Sequence, residues 1–164
     1  MSATYEQIEH AVLNSPNNTV SFTNIPATYT DLVIIASPLG YANNNGDINL
    51  QFNSDTTSNY SYGRNVTSGS SLSSNATNAT IINNSDATQP GVWRINIFNY
   101  ANTSYWKQAT MAGGDTSSGG GNLSFSVGVW RNTAAITSVQ LRAETSTGTW
   151  ATNSTFTLYG IKAK

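Results

Sequence analysis

The sequence predicts an all-β protein: one antiparallel β-sandwich domain of jelly-roll type over residues 1–164, with about nine to eleven strands. Three observations predict it. Apolar residues alternate with period 2 along most of the chain, and no stretch keeps a helical period. Asn, Gly, Asp and Ser cluster at short intervals between the alternating runs, where they accept left-handed conformations or cap their own backbone. Charged residues are only 9% of the chain, whereas Asn, Thr and Ser supply 21, 22 and 21 of the 164 residues, so solubility rests on neutral polar groups. A closed up-and-down barrel is the runner-up architecture.

The elements follow in order. "YEQIEHAVL" (Tyr5 to Leu13) has the Tyr and Val content of a strand more than of a short helix. "TVSFTNI" alternates Val20 and Phe22 against Ser21 and Thr23, and "DINLQFN" alternates Ile48, Leu50 and Phe52 against Asn49 and Gln51. "NLSFSVGVW" sets Leu123, Phe125, Val127 and Val129 against small residues, and "ITSVQLRAE" sets Val139, Leu141 and Ala143 against Gln140 and Arg142. Each of these predicts a strand with its apolar face on a core. "DLVIIAS" (Asp31 to Ser37) and "GVWRINIFNY" (Gly91 to Tyr100) are apolar on both faces and belong centrally. "SYWKQATMAG" (Ser104 to Gly113) is a further strand, and the closing "STFTLYGIKAK" puts Phe156 and Leu158 on one side and Tyr159 and Ile161 on the other. The low-complexity stretch from Gly63 to Pro90 reads as a long loop broken by one short strand at Thr80 to Ile82.

Composition excludes several classes. The formal charge is −1, with no basic stripe, so the electrostatic footprint of a nucleic-acid binder is missing. There are no cysteines, hence no disulfides and no thiolate metal site. No apolar run reaches the length of a membrane-spanning helix, so no membrane insertion is expected, and "MSATYEQIEH" carries no secretory leader pattern. Nine N-x-[ST] triplets follow from the Asn, Ser and Thr content alone.

Chemistry-bearing constellations are sparse. The acids are Glu6, Glu9, Asp31, Asp47, Asp55, Asp86, Asp115 and Glu144, mostly in Asn/Gly/Ser turns. A glycosidase needs two carboxylates about 5–10 Å apart, as a pair such as Asp47 and Asp55 could supply, but an Asp in such a turn is usually a turn former. His10 is the lone histidine, and no G-x-S-x-G nucleophile turn accompanies it. "NNNGD" and "NSD" offer oxygen ligands without the clustered acids of a strong calcium site, and "GGDTSSGGGN" lacks the Lys and helix of a phosphate loop. No catalytic residue, cofactor or metal is therefore expected. The aromatics are more informative. Tyr60, Tyr62, Tyr105, Trp106 and Trp150 lie near polar loops and form a candidate glycan- or partner-contact set, whereas Trp93 and Trp130 sit within strand patterns as packing residues.

Three stretches carry a family resemblance. "TVSFTNIPATYTDLVI", "LQFNSDTTSNYS" and "GVWRNTAAITSVQLRAETSTGTWATNSTFTLYGIKAK" resemble small virion proteins of tailed bacteriophages, minor structural, tail or fibre-like. The resemblance covers nearly the whole chain and is weakest between Gly63 and Pro90. It implies a non-enzymatic virion structural protein on the exterior of the particle, partnered by other capsid or tail proteins. The chain reads as one module without stalk or anchoring domain, which favours a capsid decoration or cement subunit. A tail-fibre or receptor-binding module contacting host surface glycans is the alternative, and a secreted carbohydrate-active enzyme the third. A homo-oligomer is expected, a trimer being one symmetric solution, with Tyr159 and Ile161 as candidate subunit-interface residues.

Overall fold

The computed structural model describes residues 5–43, 46–66, 69–77, 79–84, 89–116, 121–143 and 148–162. They form fourteen strands: β1 (Tyr5–Val12), β2 (Thr19–Phe22), β3 (Asp31–Ser37), β4 (Tyr41–Asn43), β5 (Gly46–Phe52), β6 (Tyr60–Val66), β7 (Gly69–Ala76), β8 (Ala79–Asn84), β9 (Gly91–Phe98), β10 (Lys107–Asp115), β11 (Asn122–Trp130), β12 (Val139–Ala143), β13 (Thr149–Trp150) and β14 (Thr155–Ile161). The described residues contain no helix.

Two open antiparallel sheets make a β-sandwich, with orders β1-β14-β3-β9-β10-β11-β6-β7 and β2-β12-β5-β8; β4 and β13 form a small third pair. Neither large sheet closes on itself, so the barrel alternative does not apply. The pairings are nested. β1 pairs with β14, β2 with β12, β3 with β9 and β5 with β8, while β14 also pairs with β3 and β12 with β5. This is a long ribbon rolled up so that its paired halves, β1-β14-β3-β9 and β2-β12-β5-β8, fall in opposite sheets, the jelly-roll winding of two Greek keys. Two hairpin extensions, β6–β7 and β10–β11, widen one sheet from four strands to eight.

The core lies between the sheets. Phe22, Ile48, Leu50, Val139 and Leu141 from the smaller sheet meet Leu32, Ile34, Trp93, Ile95, Phe156 and Leu158 from the larger, all with no solvent exposure. Each such side chain contributes roughly 1.5–3 kcal/mol by leaving water. The Trp93 ring fills the space over two glycines, and a Cβ on Gly113 would stand 2.3 Å from its Cδ1. At the far end Trp130 lies 5.7 Å from Phe52 and stacks on Tyr60, its registered neighbour across β11 and β6.

Three expectations need correction. The segment from Gly63 to Pro90 is not a loop with one short strand: the end of β6, all of β7 and β8 run through it. Ladder hydrogen bonds do not require apolar side chains, and β7 and β8 are templated by β6 and β5. Counted with that segment and the short β4 and β13, the described strands number fourteen. Strand β11 presents the opposite face from the one its apolar alternation predicts. Ser124 and Ser126 are buried, and Leu123, Phe125 and Val127 are 74, 53 and 40% exposed. Trp130 decides this: once its ring enters the core, strict alternation turns every odd-numbered residue of β11 outward. Strand β9 is likewise one-sided, with Trp93, Ile95 and Ile97 inward and Val92 and Phe98 outward.

Candidate functional site

The β9–β10 connection, residues 99–106, is a loop braced by side-chain hydrogen bonds. Asn99 adopts a left-handed φ of 48°, tolerable for Asn, and its N–H donates to Asp31 Oδ1 at 2.8 Å. The Asn102 N–H closes a turn on the Asn99 carbonyl, and its side-chain Oδ1 accepts the N–H groups of Ser104 and Tyr105 at 2.7 and 3.2 Å. Tyr100 is buried beneath; its hydroxyl donates to the Pro26 carbonyl and accepts the Tyr29 N–H, and burial pushes its pKa above the ordinary value. Lys107, only 1% exposed, donates from Nζ to the carbonyls of Tyr105 (2.9 Å) and Thr133 (3.0 Å). A buried ammonium is costly unless hydrogen-bonded. Here it ties the loop to the neighbouring segment 131–138, and burial lowers its pKa.

That scaffold holds Tyr105 and Trp106 outward, 70 and 57% exposed. With Phe98, Asn99, Asn102 and Gln108 they line an open cleft of about 290 Å³. Aromatic faces beside amide donors and acceptors suit stacking against a sugar ring while bonding its hydroxyls. Phe98, Asn99, Asn102 and Gln108 were not in the expected set. The signal for them was a strand, a two-Asn turn and a strand on either side of "SYW", which puts the flanking residues beside the aromatics.

The other aromatics do not join this cleft. Tyr60 is wholly buried: its hydroxyl accepts the Phe52 N–H at 3.0 Å and donates to the Asp55 carbonyl at 3.3 Å, and burial raises its pKa far above the ordinary value. Trp150 is also wholly buried, 4.7 Å from the Phe156 ring. Both are core residues rather than platforms, because their rings fill space between the layers. Tyr62 is half-buried beside a shallow depression with Gly63 and Val127. Tyr159 and Ile161 are half-buried on the outer face of β14, where the Tyr5 ring of β1 meets Tyr159 edge-on at 6.3 Å. The chain thus covers part of that face itself.

The groups weighed for catalysis have other work. Asp55 accepts from Thr57 (N–H, 2.9 Å, and hydroxyl), Asn59 Nδ2 (2.9 Å) and Trp130 Nε1 (2.7 Å). Burial alone would raise its pKa, but these bonds outweigh burial and bring it to about 2. Such a carboxylate stays ionised and cannot serve as a general acid near neutrality. The Asp47 side chain lies outside the described residues. His10 is exposed on β1 with its Nδ1 against the Thr157 hydroxyl at 2.7 Å. Among the described residues no three His, Cys, Asp or Glu side chains gather to hold a metal ion. No family model, curated protein or solved structure matches the chain. The resemblance to phage virion proteins therefore rests on the quoted residues. Those with a visible role build turns and core: Asp55 organises the "NSDTTSN" turn, Trp130 anchors "GVWRN", and "TFTLYGI" is β14.

A second surface stands out by its exposure. The outer face of the eight-stranded sheet shows Leu123, Phe125 and Val127 on β11 and Val92 on β9, the latter 58% exposed. Scattered exposed apolar residues are ordinary, but adjacent ones in a contiguous band mark a contact surface.

Proposed function

We propose that the protein is a non-enzymatic structural subunit of a tailed-phage virion, displayed on the exterior as a capsid decoration or cement protein. The observation that carries this reading is the apolar band of Leu123, Phe125 and Val127 on the broad face of an eight-stranded sheet, a surface suited to assembly. Neutral polar loops and a net charge of −1 agree with close packing against like neighbours. The phage assignment itself comes from the sequence resemblance. Quantified virion proteins should contain this chain at capsid-like copy number, on the order of hundreds per particle for a shell-covering symmetric subunit. A handful of copies would exclude decoration and move the protein to the tail.

A second reading, a tail-fibre or receptor-binding module for host surface glycans, is favoured by the Tyr105–Trp106 cleft. Purified protein should then label host cells, and Trp106→Ala should cut apparent affinity about tenfold, the loss of one aromatic stack at about 1.4 kcal/mol. Labelling that survives the change intact eliminates the cleft as the binding site.

A further inference from the structure

We infer that the outer face of the eight-stranded sheet binds a second copy of this chain about a two-fold axis running along the strands between β10 and β11. The inference rests on reading this face as an assembly surface. Its basis is an alternation of ridge and trough in register. On β11 three successive outward residues are large and exposed, Leu123, Phe125 and Val127, with half-buried Val129 beside Gln108 beyond them. The registered neighbours of those three on β10 are small: Gly114, Ala112 and Thr110. Between Val92 and Leu123 the trough over Gly114 is a depression of about 290 Å³.

A two-fold axis parallel to the strands keeps height along the strand and exchanges left with right. Placed between β10 and β11, it lays the β11 ridge of one copy into the β10 trough of the other. Phe125 then stands over Ala112, Leu123 over Gly114 and Val127 over Thr110, each contact occurring twice, as a self-complementary interface demands. Sheets stack about 10 Å apart with strands within about 30° of each other, which leaves room for one interdigitated layer. The same operation puts β9 over β6; Arg94, the one charged outward residue on β9, β10, β11 and β6, is held by Asn96 Oδ1 (3.0 Å) and the Tyr5 hydroxyl (2.7 Å) on the β1 side, and it meets no like charge on β6. Six strands overlap, β3 to β7 in sheet order. At about 4.8 Å per strand and about 25 Å of length they present roughly 700 Å² per copy, close to the roughly 800 Å² per partner of a stable interface.

Sedimentation equilibrium on the full chain tests this. The wild type, at tens of micromolar, should sediment at twice the 17.5 kDa of one chain. Phe125→Asp and Ala112→Arg, both at exposed positions, should each be monomeric, with dissociation constants raised at least a hundredfold and unaltered circular dichroism. Mixing the two variants should restore a dimer, because Asp at 125 of one copy would face Arg at 112 of the other. A monomeric wild type overturns the inference, and so do single variants that still dimerise. A mixture that stays monomeric overturns the β10–β11 register. These outcomes are independent of particle copy number, so a protein missing from virions that still dimerises this way defeats only the virion reading.

Discussion

Trp130→Ala is expected to lower the free energy of unfolding by about 5 kcal/mol. Removing a buried tryptophan costs about 3–5 kcal/mol, and the carboxylate it leaves short of a donor adds about 1–3 kcal/mol. That total is a third or more of the roughly 5–15 kcal/mol that holds a domain of this kind together. The effect is concentrated because one side chain does three things. It stacks on Tyr60, packs against Phe52 and donates 2.7 Å to Asp55, which in turn shapes residues 53–59. Trp130→Phe, which keeps a ring but loses the N–H, should cost about 1–2 kcal/mol. Urea unfolding followed by circular dichroism separates the two variants.

Acid titration gives the same prediction a second readout. The folded pKa of Asp55, about 2, lies below its ordinary 3.8, so the fold favours the ionised form. Its contribution is complete above about pH 4 and is lost as pH falls toward 2. For a partly solvated group this amounts to on the order of 1–2 kcal/mol. In Trp130→Phe one of the donors is gone, the Asp55 pKa rises toward its ordinary value, and this acid-dependent loss should shrink. An unchanged loss between pH 4 and 2 would mean that the Trp130–Asp55 bond does not stabilise the turn.

Gly113→Ala should cost about 2–3 kcal/mol although it adds a single methyl group. The new Cβ would lie 2.3 Å from Trp93 Cδ1 and 2.3 Å from the Val92 carbonyl oxygen, so either the indole or the β9–β10 ladder must move. Overpacking a dense core costs about 1–3 kcal/mol, and Trp93 has no exposed side into which to retreat. In a Trp93→Leu background the same substitution should cost measurably less, since the ring is no longer in the way. Equal costs in both backgrounds, measured as a double-mutant cycle by thermal unfolding, would locate the strain elsewhere.

Much of the fold was legible because period-2 alternation is a strong signal wherever a strand has one apolar face. The two-faced "DLVIIAS" marks β3, which lies between β14 and β9 with both Val33 and Ile34 buried. The low-complexity segment was not legible as β7 and β8, because Ser, Asn and Thr carry no burial pattern while their backbones still pair. β11 misled for a different reason. Alternation says that two faces differ, not which one faces the core, and Trp130 at the strand's end outweighed four smaller apolar residues. The candidate cleft was half legible. Proximity to polar loops singled out Tyr105 and Trp106, although the alternation of "SYWKQATMAG" extends the strand back to Ser104 whereas β10 begins at Lys107; the same proximity could not separate them from Tyr60 and Trp150, whose strands carry them inward.

The nested ribbon also sets a timetable for synthesis. β14 belongs between β1 and β3, so the slot beside β1 stays empty until residues near 157 emerge; the His10–Thr157 contact spans 147 positions. At roughly 5–20 residues per second, that is an interval of roughly seven to thirty seconds. During it the two-faced β3 lacks one neighbour and β1 lacks its only one. Completion of the large sheet therefore waits for the strand that is made last among those described. Open edges of this kind recruit strands from other chains. Crowding of nascent chains during that interval should therefore lower the yield of folded protein.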